Sequence, residues 1–146
     1  MRTSPAVISR RTFVGRLGLV ATAFFFPRDA QRVLGAGPTA TLEHPDPRPG
    51  VSAERVLADG VLKSSKNEVL AAYAAARAYP AIFDGLACGC GCTEKGMPHR
   101  SLLTCYETQQ PTGCWSCQKE AQLVSDLAKK DTPLADIRAA VDKKFG

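Results

Sequence analysis

Apolar positions recur at helical spacing through the second half of the chain. Leu134, Ile137, Val141 and Phe145 follow one another at steps of three, four and four, which places them on one face of a helix. Thr132-Pro133 stands just ahead, an N-cap followed by proline at the first helical position. Ala121, Val124 and Ala128 fall in line, with Leu123 and Leu127 beside them. They predict a longer helix that opens at Cys114 or Cys117 and runs to about Lys130. Lys129 and Lys130 in its last turn suit the helix dipole. Lys66–Tyr79 is rich in alanine, with Val69, Leu70 and Tyr73 on one side, and reads as another helix. Pro80 ends it or starts the next turn, over Ala81–Leu86. Leu102, Leu103 and Tyr106 predict a short helix over His99–Tyr106, and Ser52 can cap one that reaches about Leu62. No stretch alternates in the manner of a strand, and no segment repeats. The expected fold class is all-α, a small helical domain with a Cys/Gly-rich loop that is metal-binding or disulfide-stapled.

Two segments break this pattern. Residues 38–50 hold Pro38, Pro45, Pro47, Pro49 and Gly50, a density that disfavours helix and sheet alike. We read 37–51 as a Pro-rich linker, with His44 a solvated residue in it, and 52–146 as the helical cysteine-rich domain. The linker and the cysteine loop are expected to add little to a core, so a cross-linked centre would help so small a body.

The other segment is the N-terminus. An apolar run of ten residues, Leu17 to Phe26, ends at Pro27-Arg28-Asp29. A membrane-spanning helix needs about 20 apolar residues, so the run has the length of a signal core and not of a span. Ser9-Arg10-Arg11-Thr12-Phe13-Val14-Gly15 precedes it and resembles the twin-arginine export signal, Ser-Arg-Arg-any-Phe-Leu-Lys. Val14 replaces Leu conservatively, and Gly15 departs from Lys. The resemblance makes 1–36 a signal peptide. It implies export to the periplasm or cell envelope, with the twin-arginine translocase as a partner and no membrane span once the signal is removed. That route carries folded proteins, often with a cofactor already loaded. No cysteine directly follows the apolar run, so a lipid anchor is not expected.

Charge supports this division. The net charge of +5 at pH 7 would by itself suggest nucleic acid as a partner. Yet residues 1–37 carry six arginines against Asp29 alone, and residues 38–146 balance to zero. The body has no basic stripe with interleaved aromatics, so nucleic acid is not an expected partner.

All six cysteines fall in one 30-residue window: Cys88, Cys90, Cys92, Cys105, Cys114 and Cys117. Such crowding points to one site or one stapled unit. Thiolates are soft ligands and suit Zn²⁺, Cu(I) or iron–sulfur clusters. Convergence requires the Cys88–Cys92 stretch to curl, which Gly89 and Gly91 permit. Cys114 and Cys117 at a helix N-terminus gain from the helix dipole, which favours thiolate. His99 can add a nitrogen ligand. Met97 is more simply a loop residue, and Trp115, the sole tryptophan, is expected to pack.

These residues resemble a bacterial family of exported or lipid-anchored proteins named for a Pro-Cys-Tyr-Cys-Gly-Cys motif. The motif stands here as Ala87-Cys88-Gly89-Cys90-Gly91-Cys92, with Ala for Pro and Gly for Tyr. His99-Arg100-Ser101-Leu102-Leu103-Thr104-Cys105 and the pair Cys114-Trp115-Ser116-Cys117 match the family's later elements. The histidine that many members carry before that pair is absent from Gln110-Pro111-Thr112-Gly113. The resemblance runs from about Tyr73 to Phe145, half of the chain, and implies a metal-binding role.

The expected function is soft-metal binding: copper(I) or zinc held by the cysteines and His99, for buffering, delivery or structure. A metal donor or acceptor protein in the envelope is the matching partner. Two other classes stay open. Three disulfides would make a stapled envelope interaction module, although three bridges leaving one five-residue stretch crowd each other. Cys114-Trp115-Ser116-Cys117 could serve a thiol–disulfide oxidoreductase, but the βαβ context of such enzymes is missing. No Ser-His-Asp set, phosphate loop or HExxH occurs, and Asp131 and Asp136 read as solvated surface carboxylates. Enzymatic activity is therefore not the expected role.

Overall fold

A computed structural model describes residues 41–64 and 66–146. The signal-like segment lies outside them. The described residues form five α-helices: α1 Asn67–Ala78, α2 Pro80–Asp84, α3 Leu102–Tyr106, α4 Trp115–Ala128 and α5 Leu134–Phe145. Two 3-10 turns, Asp59–Val61 and Gln110–Thr112, complete the order. No strand occurs among the described residues, as the sequence pattern predicts. No helix among them is long and apolar enough to cross a membrane.

α1 packs along α4, α4 along α5, and α2 against α3. The alanines explain the first contact. Ala72, Ala75 and Ala76 of α1 are buried, and Ala121 and Ala128 of α4 are buried as well. Small side chains let two helix backbones approach closely. The aromatic centre lies where α1, α2 and α3 meet. Tyr73 and Phe83 both set their rings edge-on to Tyr106, with centroids 4.9 and 5.7 Å away. Such pairs contribute about 0.5–1.5 kcal/mol beyond their buried area. The Tyr106 hydroxyl donates to the Cys117 carbonyl at 2.7 Å, which ties α3 to the first turn of α4. In α5, Ile137 and Val141 are fully buried, and Leu134 and Phe145 pack against the core.

Several local expectations shift. Residues 52–62 do not form an α-helix; they run through bends into the short 3-10 turn. This stretch is held by tertiary bonds instead: Arg77 Nη1 donates to the Leu57 carbonyl at 2.6 Å, and Leu57 N–H to the Tyr106 carbonyl at 3.1 Å. The short helix begins at Leu102 and not at His99, because Ser101 is its N-cap: Ser101 N–H donates to Thr104 Oγ1 at 3.1 Å. α4 ends at Ala128, so Lys129 is its C-cap and Lys130 lies beyond it. α5 starts one residue later than expected, with Pro133 and not Thr132 as N-cap. Trp115 does not pack; it is 65% exposed.

The largest departure concerns the proline-rich stretch. From residue 41 it is strapped onto the helices. Leu42 and Val51 pack against the core, and Leu42 N–H donates to Asp142 Oδ1 at 2.9 Å. His44 is not solvated: its side chain is 7% exposed, Nε2 meets Asp142 Oδ1 at 3.1 Å, and Nδ1 accepts from Ala87 N–H at 2.9 Å. Burial lowers its pKa below the usual 6.5, against the opposing pull of Asp142. Arg48 grips the fully buried Asp84 with its backbone N–H at 2.8 Å, Nε at 3.1 Å and Nη2 at 2.9 Å. Proline here suits an extended strap that finds its partners on other elements.

Candidate metal centre

The segment between α2 and α3 carries three of the cysteines. Its start is fixed at Asp84, which ends α2. Arg48, Arg100 Nη1 at 3.0 Å and Ser101 Oγ at 2.9 Å all donate to that carboxylate. Burial alone would raise the Asp84 pKa, but the bonds from Arg48 and Ser101 and the charge of Arg100 hold it below the ordinary carboxylate range. Leu102 N–H donates to the Leu86 carbonyl at 2.7 Å, so the two ends of the loop are joined.

Within the loop the chain curls as the sulfurs require. Cys88 N–H donates to Thr93 Oγ1 at 2.9 Å, and Gly91 N–H to the Cys88 carbonyl at 3.1 Å. Gly91 has φ of +77°, a left-handed conformation that side chains disfavour. Gly89 lies so close to the end of α5 that a Cβ there would fall 2.9 Å from the Phe145 carbonyl oxygen. Against the expectation that it would add little to a core, the loop is part of it: Ala87, Cys88 and Cys92 are buried.

This curl brings Cys88, Cys90 and Cys92 to Cys117 in the first turn of α4. The four sulfurs lie within 4.8 Å of one another. Cys88 and Cys90 are 3.4 Å apart, Cys88 and Cys117 3.5 Å, and Cys90 and Cys117 3.9 Å. A tetrahedral zinc with bonds of about 2.3 Å needs sulfurs about 3.8 Å apart. A disulfide needs about 2.05 Å, well short of any of these separations. Cys105, on α3, joins the group from the buried side, with its sulfur 3.2 Å from that of Cys92. Cys90 is the exposed member, whereas Cys88, Cys92, Cys105 and Cys117 are buried.

The thiols bias each other. Cys92 is pulled down because its thiolate accepts from Cys105 first, then from Cys117 and Cys88. Cys117 is pushed up, first by Cys105. Burial, followed by Cys92, pushes Cys90 up to about 11. The thiols thus shift in opposite directions within one coupled set, as crowded soft ligands do before a cation supplies compensating charge.

Two of the seven residues singled out from sequence stand apart. Cys114, partly exposed, is the N-cap of α4, and its sulfur accepts from Cys117 N–H at 3.5 Å. His99 turns to Gln110, with Nε2 at 2.7 Å from Oε1, and lies outside the four-sulfur group. Met97 is exposed on the loop.

The sequence reading missed Glu120. It stands one turn after Cys117 on α4 and is fully buried. Oε2 accepts from Gly89 N–H at 3.1 Å, while Oε1 is buried without a hydrogen-bond partner. Burial raises its pKa to about 8, so at neutral pH the carboxyl is mostly protonated. Its position three residues after Cys117 was a visible signal, since i and i+3 share a helix face.

Elsewhere, a groove of about 750 Å³ runs along α1 and α4, lined by residues such as Ala71, Ala75, Gln118 and Gln122. It holds none of the cysteines. Compared with protein-family models, with curated proteins and with solved structures, the chain matches none. The sulfur cluster therefore carries the functional reading by its geometry.

Proposed function

We propose that this is an exported soft-metal-binding protein, with copper(I) or zinc held by Cys88, Cys90, Cys92 and Cys117. The observation that carries this reading is the meeting of four sulfurs from two separate elements within 4.8 Å. The separations among Cys88, Cys90 and Cys117 lie close to a tetrahedral edge. The ligand chemistry agrees: thiolates select soft or borderline cations. Gly89 N–H and Glu120 position the loop from the second layer, a role such bonds commonly serve at metal sites. The exposure of Cys90 gives an incoming or outgoing ion a ligand that solvent and a partner protein can reach, which suits buffering or delivery. Export rests on the twin-arginine-like residues 9–13 and the apolar run behind them.

The test is elemental analysis of the exported protein, purified without chelator, beside a thiol count under denaturing conditions. Stoichiometric copper or zinc with four or more recoverable thiols is expected, and Cys90→Ser with Cys117→Ser should lose the ion. No metal and no thiols would overturn the reading. That result would favour a disulfide-stapled module, for which the 3.2 Å approach of Cys92 and Cys105 offers the nearest pair.

A further inference from the structure

We propose that the cluster is a two-ion Cu(I) site in which Cys105 is a fifth thiolate and pairs with Cys92 on the second ion. The inference rests on the soft-metal reading above and specifies the metal and its number. Cys88, Cys90, Cys92 and Cys117 form one four-sulfur set, within 4.8 Å. Cys105 stands outside that set, with its sulfur 3.2 Å from that of Cys92. Cys90 is exposed and Cys105 buried, so the five sulfurs run from the surface into the core.

One tetrahedral ion would use the four-sulfur set and leave Cys105 packed against Cys92. Two tetrahedral ions on five sulfurs would have to share three of them. With metal–sulfur bonds of about 2.3 Å, ions on opposite sides of one sulfur triangle would sit about 1.5 Å apart. Cu(I) escapes this conflict, because it is satisfied by two or three thiolates and accepts a thiolate shared with a neighbouring Cu(I). The Cys88, Cys90 and Cys117 triangle, with sides of 3.4, 3.5 and 3.9 Å, suits one such ion. Cys92 with Cys105 supplies the second, once their 3.2 Å contact opens to admit it. Each Cu(I) that enters displaces thiol protons to solvent, with no change of oxidation state at copper or sulfur.

The experiment titrates the reduced full chain with Cu(I) without oxygen, against bicinchoninate as competing chelator. Zn²⁺ is titrated in parallel against a chromophoric chelator. The wild type should take two Cu(I) but one Zn²⁺ per chain. Cys105→Ser should take one Cu(I) and still take one Zn²⁺, and the retained zinc shows that this variant folds and keeps the outer set. A wild type that stops at one Cu(I) would overturn the two-ion site while leaving the soft-metal reading intact. Two Cu(I) in Cys105→Ser would remove Cys105 from it. Failure to bind either ion would sink the soft-metal reading itself, and the inference with it.

Discussion

Replacing Gly89 by alanine tests how the sulfur loop is seated. A Cβ at that position would meet main chain: the Phe145 carbonyl oxygen at 2.9 Å and its carbon at 3.3 Å, with the Phe145 Cβ nearer still. Carbon atoms in contact rest about 3.5–4.0 Å apart, so one side must retreat by about 1 Å. Gly89 is not among the residues with positive φ, so the new side chain brings no backbone strain and the clash acts alone. Overpacking of this kind costs about 1–3 kcal/mol. Phe145 is partly exposed and ends α5, which gives way more easily than a loop bonded on both sides, so we expect about 1–2 kcal/mol. Denaturant unfolding of the metal-free chain measures it, in the parent and in a chain ended at Lys144. The loss should appear in the full chain and largely vanish in the shortened one, a double-mutant cycle between Gly89 and the helix end. Equal stability of Gly89→Ala and parent within about 0.5 kcal/mol would refute the contact, since ordinary surface changes fall in that range. So would a loss that persists after Phe145 is removed.

Two further outcomes follow from the buried carboxyls. The Asp84 pKa is lowered in the folded chain, so its contribution is present above the unfolded value of about 4 and disappears as pH falls through the folded one. Asp84→Asn should flatten the acid limb of a stability–pH profile and cost about 1–3 kcal/mol at pH 7, because Arg48 and Arg100 can still reach water; an unchanged acid limb would contradict this. Glu120 is mostly protonated at pH 7, so Glu120→Gln, which keeps an acceptor for Gly89 N–H, should stay within about 1 kcal/mol of the parent. Glu120→Ala loses both the acceptor and buried volume and should cost about 2–4 kcal/mol by thermal or denaturant unfolding. A Gln variant as unstable as the Ala variant would mean that the charge is needed.

The parts legible in the sequence are those whose cause is local. The 3.6-residue period of α4 and α5 is written in consecutive side chains, and the structure follows it to within a residue or two. The sulfur cluster was legible from crowding and glycine, because a thiol has few other reasons to recur so closely. The strap was not legible. His44 and Arg48 find Asp142 and Asp84 at separations of 98 and 36 residues, and nothing near either residue announces its partner. Ser52 has the chemistry of a cap but no helix follows, as tertiary bonds to Leu57 override the local preference. His99 was placed one turn too early because the apolar spacing of α3 was read without its cap, although Ser101 and Thr104 stand in the sequence three apart. Glu120 was passed over because a lone glutamate on a helix usually faces water.

Asp142 also has a topological consequence. It takes the Leu42 N–H, 100 residues upstream, and sits one turn from Gly146, so the chain enters this domain beside the point at which it leaves. The domain is a closed ring and not a link with a handle at each end. Tension applied between Thr41 and Gly146 would load the strap and the end of α5 first, and through His44 on Ala87 and Phe145 on Gly89 it would pass straight to the sulfur loop. A bead hung in this way is tethered or swung from one side.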